Sequence, residues 1–268
     1  MALVASPSLV RARPSRLGFH ARVEAVFYGR LGGVSTGAYA SLNTGIAVGD
    51  DVSLVMQNRD IVGSDCEPGL ELASVRQVHG ASVALGRDAR AQRGECEADA
   101  LVTSCPRLAL VINTADCAPL YLQGPDAAAI ALAHCGWRGI VSGVVEATVA
   151  ALLGSCGREA APERLLAFIG PCIHRCCYAV GEELVRAFPP SDAGAFRRRP
   201  RLTLDLTALI RRRLAALGVP PDQIEAHGDC TCCRSDLYFS HRQDRGSTGR
   251  NAAVMFLSSA HAVPASAT

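Results

Sequence analysis

The sequence predicts an α+β fold in which mixed β-sheets form a sandwich flanked by helices. Three observations predict it. Strand-like apolar runs recur along the chain, few helical stretches interrupt them, and the two kinds lack the regular βαβ alternation of a Rossmann-type sheet. At 268 residues the chain can bury one large core, and neither a repeat nor a linker divides it. The expected organisation is an extension over 1–18, a single catalytic domain over 19–258 and a tail over 259–268. Residues 1–18 carry Arg11, Arg13 and Arg16 and no acid, which weakly resembles a transit peptide; a disordered extension is the expectation.

Residues 25–28 read as a strand leading into a glycine-rich turn region over 30–37. Residues 72–78 and 82–85 read as short strands on either side of a turn at His79-Gly80. Residues 108–112 form an apolar run that stops at Asn113-Thr114-Ala115-Asp116-Cys117, and 128–133 another that stops at His134-Cys135-Gly136-Trp137-Arg138. Two buried strands that each end in reactive side chains are informative, because binding groups sit where rigid strands give way to loops. Ser142 is a good N-cap for a helix running to about residue 153, with Gly154 or Gly157 to end it. Residues 165–169 form a further strand, broken by Gly170-Pro171. Residues 182–188 and 206–217 are helical, the second closing at Gly218 before Pro220.

Composition excludes several classes. The net charge of +2 lacks the basic excess of a general nucleic-acid binder. All 27 basic residues are Arg, so lysine Schiff-base and P-loop lysine chemistry are excluded. Any phosphate must be held by Arg, His or backbone amides. The local arginine clusters at 197–201 and 211–213 read as solvated faces. No apolar run reaches membrane-spanning length and no secretory signal is visible. The twelve cysteines are unevenly clustered, unlike a disulfide framework, which places the protein in the cytoplasm with mostly reduced thiols.

Three residues stand out as metal ligands: His79, Cys117 and His134. Two imidazoles and one thiolate suit zinc and leave a fourth position for water or substrate. Their spacing contains no short metal signature. The same residues also suit a metal-free cysteine hydrolase or amidase, with Cys117 as nucleophile and His134 as base, supported by Asp116 or Asn113. Buried, hydrogen-bonded histidines and an inert cysteine are the plain alternative.

A series of short motifs bears on this choice. In order these are Arg30-x-Gly32-Gly33-Val34-Ser35-x-Gly37-x-Tyr39-x-Ser41-Leu42-Asn43, Gln77-Val78-His79-Gly80, Asp99-Ala100-Leu101-Val102-Thr103 and Ala115-Asp116-Cys117-x-Pro119. After them come His134-x-Gly136-Trp137-Arg138-Gly139, Gly170-Pro171-x-Ile173, and Phe239-Ser240-x-Arg242 with Thr248-Gly249-Arg250. Together they resemble the YfiH-like family, known as laccase-domain or polyphenol oxidase proteins and now understood as purine nucleoside phosphorylases. The resemblance spans about residues 20–256. It implies that His79, Cys117 and His134 hold one zinc ion, with water or substrate as fourth ligand. It also implies phosphorolysis of adenosine, inosine, guanosine and methylthioadenosine, adenosine deaminase activity, and a sandwich of mixed sheets shared with a toxin deamidase.

Zinc-activated water suits attack on purine C6. The proton-shuttling Glu of the H-x-E deaminases has no counterpart here, which leaves Asp116 as the expected proton carrier. For phosphate, Arg30 and Arg138 are the candidates, with Gly32 and Gly33 letting backbone amides approach the anion. Asn43 either bonds ribose or base or holds its own turn, and Trp137 is expected to pack rather than stack on the base. The partners are thus purine nucleosides and phosphate, with neither nucleic acid nor membrane, in a monomer or homodimer.

Position 135 is Cys where the family usually has a smaller residue, and strand alternation predicts that it faces away from His134. The pairs Cys176-Cys177 and Cys232-Cys233 lack the two-residue gap of zinc knuckles, so no second zinc site is expected. Copper oxidase activity is not expected either. The three methionines lie far in sequence from the three ligands, and seven histidines are too few for a multicopper cluster.

Overall fold

The apolar runs become the strands of two sheets packed face to face, with helices on both outer surfaces. The computed structural model describes residues 8–15, 18–86 and 96–258. The chain begins with β1 (Arg11–Ala12), β2 (Val23–Tyr28), α1 (Val52–Asp65), β3 (Glu71–Ser74), β4 (Val83–Leu85) and β5 (Ala100–Thr103). Next come β6 (Leu108–Thr114), β7 (Ala118–Gln123), β8 (Ile130–Cys135), α2 (Trp137–Val141), α3 (Val144–Cys156) and β9 (Leu166–Ile169). The last part holds α4 (Glu182–Ala187), β10 (Phe196–Arg197), β11 (Thr203–Leu204), α5 (Leu206–Ala216), β12 (Ile224–Ala226) and β13 (Asn251–Leu257).

One sheet runs β1-β2-β13-β6-β3, antiparallel except where β3 lies parallel to β6. The other runs β12-β9-β7-β8-β5-β4, antiparallel at its centre with a parallel pair at each edge. Side-chain alternation sorts each strand into layers. On β8, Ile130 and Leu132 enter the core between the sheets, beside Phe27, Leu110 and Met255 of the facing sheet. Ala131, Ala133 and Cys135 point outward against Val145, Val149 and Leu152 of α3, in a layer that also holds Leu209, Ile210 and Leu214 of α5. On the far side Val62 of α1 packs with Val26, Val111 and Val254. Each fully buried Leu, Ile or Val contributes about 1.5–3 kcal/mol. The Tyr121 hydroxyl on β7 donates to the Val26 carbonyl on β2 at 3.0 Å, a polar tie across the inner core.

The fold agrees with the predicted class and sharpens its elements. The strand expected over 72–78 leaves the sheet after Ser74, so that the chain can turn at His79. Ser142 closes α2 rather than capping the next helix, and α3 starts after Gly143, whose φ of 90° makes the sharp turn between the two. Helix α1 was not expected; Asp51 caps it by accepting from Ser53 N–H, and its buried positions include the polar Asn58. Residues 8–15 correct the expectation of a disordered extension, because Arg11–Ala12 pairs with Phe27 and Tyr28 of β2. Residues 1–7 and 16–17 of that extension, and the tail over 259–268, lie outside the described residues.

Candidate metal centre

Three chain segments deliver the three predicted ligands to one end of the sandwich. His134 sits near the end of β8, Cys117 in the turn between β6 and β7, and His79 in the turn after β3. Their ligand atoms all lie within 4.8 Å of one another. The two imidazoles meet edge to face, with centroids 4.8 Å apart and planes at 69°. The backbone is bent to achieve this: His79 and Asp116 have φ of 59° and 89°, in the left-handed region that non-glycine residues rarely adopt. Gly136 is required here, since a Cβ would fall 2.9 Å from Cys117 Sγ and 3.1 Å from His79 Cδ2.

Asp99 organises the cluster and was not singled out in the sequence as a site residue. It is fully buried, and its Oδ1 lies 2.9 Å from His134 Nδ1. The same carboxylate accepts from the backbone N–H groups of Val78, His79 and Gly80 at 3.2, 3.0 and 2.7 Å. One side chain therefore shapes the His79 turn and orients the His134 ring. With Nδ1 donating to Asp99, His134 Nε2 is left to act as a ligand. Burial works against the Asp99 charge, but His134 and the backbone donors outweigh it and hold the carboxyl below its usual range. Burial likewise pushes the Cys117 thiol up, yet His134 and His79 bring it down to about 6. Burial would lower His134, whereas Cys117 and Asp99 raise it to about 9. The centre thus favours a thiolate beside an imidazolium. Two imidazoles and a readily ionised thiol fit a metal ion, and three donors leave a tetrahedral ion one open position.

The centre opens onto a cleft of about 630 Å³. Among the described residues five arginines line it, namely Arg59, Arg76, Arg138, Arg242 and Arg250, against a single carboxylate, Asp116. Arg76 pairs with Glu97. Arg59 donates to the Thr44 carbonyl at 2.9 Å, and Arg250 to the carbonyls of Thr248 and Gly249 at 3.0 Å each. Burial pushes the pKa of both Arg59 and Arg250 down, the mark of cations held away from water. Arg138 is exposed and stacks on the Trp137 ring at 4.5 Å, with no hydrogen-bond or ion-pair partner among the described residues. A cleft so lined attracts anions.

Several expectations are corrected. Arg30 is not among the cleft residues: its Nε donates to the Ala40 carbonyl at 3.0 Å, its Nη1 to the Ser235 carbonyl at 2.9 Å, and it lies over the Phe239 ring. Asn43 is fully buried and already used; its Oδ1 accepts from the N–H groups of Gly45 and Arg250, and its Nδ2 donates to Asp50. It holds its own turn. Gly33 makes no anion cradle, because its N–H donates to Ser41 Oγ at 3.1 Å and a Cβ there would collide with Ser41 and Asn58. Asp116 faces the cleft, but Thr231 and Ser240 hydroxyls donate to its Oδ1 at 2.7 Å each and the Arg242 N–H to its Oδ2 at 2.7 Å. Those donors tie Asp116 to the loop over 230–242. Trp137 both lines the cleft and packs against the outer core. Cys135 faces away from the centre into that core, as alternation predicted. Arg59 carried no signal in the sequence, whereas Arg242 and Arg250 lay within the motif series.

Comparisons with known proteins bear on the family and the fold. Residues 24–258 match the model of a family described as multi-copper polyphenol oxidoreductase laccase. The chain is 36% identical over 233 residues to the purine nucleoside phosphorylase YlmD of Geobacillus stearothermophilus, covering 82% of this chain and 84% of that protein. It is 35% identical over 234 residues to the purine nucleoside phosphorylase YfiH of Escherichia coli, covering 85% and 91%. Among solved structures, Neisseria meningitidis NMB0706 superposes with a TM-score of 0.82 at 34% identity, over 93% of this chain and 99% of that one. Geobacillus stearothermophilus YlmD superposes with a TM-score of 0.81, over 89% and 93%. The chain belongs to this laccase-domain family, together with YlmD and YfiH.

Proposed function

We propose that this protein is a zinc-dependent purine nucleoside phosphorylase of the cytoplasm, acting on adenosine, inosine, guanosine and methylthioadenosine, with adenosine deaminase as a second activity. The observation that carries this reading is the juxtaposition of a three-donor metal centre with a cleft walled by five arginines. The relatives named purine nucleoside phosphorylases support it.

Phosphorolysis joins a phosphate oxygen to C1′ while the bond from C1′ to the purine nitrogen breaks, giving free base and ribose 1-phosphate, or its 5-methylthio analogue from methylthioadenosine. The bond's electron pair leaves with the base, which takes up a proton. Arg138, the guanidinium with no other polar partner among the described residues, is the leading phosphate ligand, since its fork matches two phosphate oxygens. Arg59 and Arg250 add fixed positive charge that needs no reorganisation when the anion arrives. His79, Cys117 and His134 hold the metal, and Asp99 keeps the His134 proton on Nδ1. When bound there, zinc supplies a Lewis acid with one open position. Two imidazoles and a thiolate also serve copper, but neither Met56 nor Met255 lines the cleft to add a soft axial ligand, so zinc is favoured.

The test is metal analysis of the purified protein together with chromatography of each nucleoside incubated with phosphate. Zinc that is lost in Cys117→Ser, with hypoxanthine and ribose 1-phosphate formed from inosine, is expected. Failure of the zinc-loaded protein to release base from any of the four nucleosides overturns the reading. A second reading, a metal-free cysteine hydrolase or amidase, has the depressed Cys117 thiol beside His134 in its favour. Full activity after zinc removal, abolished by Cys117→Ser, would establish it instead.

A further inference from the structure

Four cysteines outside the cleft converge on a single point. Cys176 and Cys177 lie on the segment after β9, and Cys230 and Cys233 on the segment after β12. Their sulfurs all lie within 4.8 Å of one another. Cys233 Sγ is 3.6 Å from Cys176 Sγ and 3.3 Å from Cys177 Sγ. A Zn–S bond of about 2.3 Å implies a tetrahedral S···S edge of ~3.8 Å, so this spacing suits four sulfurs around one ion. The vicinal pairs Cys176-Cys177 and Cys232-Cys233 conceal this in the sequence. Cys230 and Cys233 themselves have the two-residue gap of a zinc-binding turn, while Cys232 Sγ lies 3.7 Å from Gln243 Oε1.

We propose that Cys176, Cys177, Cys230 and Cys233 bind a second, structural zinc ion that clasps one wall of the cleft. Binding replaces four thiol protons with one Zn²⁺, leaving the site with two net negative charges. Its surroundings suit that charge. The His174 N–H donates to Cys230 Sγ at 3.3 Å. The guanidinium of Arg201 donates to the Cys176 carbonyl at 2.7 Å, and that of Arg242 to the Cys177 carbonyl at 3.4 Å. The sulfurs are not bonded to one another: all four are free thiols, and even 3.3 Å far exceeds a disulfide bond of about 2.05 Å.

The position of the cluster explains what the ion does. Tyr178, next to Cys177, lines the cleft, and so do His241 and Arg242 of the loop that Cys230 and Cys233 begin. Both segments also hold the turn that carries Cys117, since Ile173 N–H donates to the Asp116 carbonyl at 2.9 Å and Thr231 donates to the Asp116 carboxylate. A closed four-thiolate ion links the two segments at their exposed ends. This inference does not depend on the activity proposed for the cleft.

The experiment counts metal in the full chain purified from zinc-supplemented medium. About two zinc ions per chain are expected in the wild type, about one in Cys117→Ser, and about one in the double variant Cys176→Ser/Cys233→Ser. With cobalt, the intense sulfur-to-metal charge-transfer bands of a four-thiolate site should persist in Cys117→Ser and vanish in the double variant. Should the double variant fail to fold, alkylation of the native wild-type protein decides. The four cysteines are expected to resist iodoacetamide until a chelator is added. The proposal is overturned if they are alkylated equally with and without chelator, or if intact mass shows a disulfide among them. It is also overturned if the wild type carries only the zinc that Cys117→Ser removes.

Discussion

Asp99 Oδ1 and His134 Nδ1 stand 2.9 Å apart, with both side chains buried and three backbone amides donating to the same carboxylate. That contact fixes the ring nitrogen available to a metal and, through Gly80 and His79, the position of a second ligand. Replacing Asp99 with Asn keeps the volume but weakens the acceptor. Metal affinity should fall about 10–100-fold, the usual effect of removing a partner behind a ligating His. Competition against a chromophoric chelator measures this, and unchanged affinity in a folded variant would refute the role given to Asp99.

In metal-stripped protein the Cys117 thiol, brought down to about 6, should react as a thiolate at neutral pH. Its alkylation rate, followed by peptide mapping from pH 5 to 9, should rise to a plateau with a midpoint near 6. Ordinary thiols gain reactivity only as pH approaches about 8.5. In His134→Ala the midpoint should move upward, because the neighbouring positive charge is gone. A midpoint that stays put would show that His134 is not its cause.

Arg138 and Arg30 separate binding from architecture. Arg138→Ala should raise the KM for phosphate roughly tenfold or more, the scale of one lost charge-assisted hydrogen bond of about 1.5–3 kcal/mol. Arg30→Ala strips donors from the Ala40 and Ser235 carbonyls and should lower stability by about 1–3 kcal/mol with the phosphate KM little changed. Steady-state kinetics and urea unfolding of the two variants test the pair. The opposite pattern would restore Arg30 as the phosphate ligand.

Asp116 offers a similar contrast. Thr231→Val and Ser240→Ala each remove a hydroxyl donor from its carboxylate and should lower the melting temperature by roughly 2–4 °C per kcal/mol lost. If Asp116 serves as an anchor, the pH profile of kcat should keep its shape in both variants. A displaced limb in that profile would give Asp116 the role of proton carrier.

The sequence by itself determined the fold class and six of the thirteen strands among the described residues, including the apolar runs at 108–112 and 128–133, because a buried strand is a local pattern. It pointed to His79, Cys117 and His134 through the resemblance of the motif series, since their spacing alone carries no metal signature. Helix α1 escaped because its buried face includes Asn58 and its apolar pattern is weak, and β1 escaped because two residues pair only once β2 is in place. What the tertiary structure alone decided is the use of each polar group. Arg30, Asn43 and Asp116 looked available in one dimension, yet folding spends their donors and acceptors on carbonyls, amides and hydroxyls distant in sequence. Arg59 and Arg250 became cleft residues in the same way, and Asp99 became the partner of His134. Hydrogen bonding saturates, so a side chain's role depends on which neighbours reach it first, and those neighbours are chosen by the packing of the two sheets.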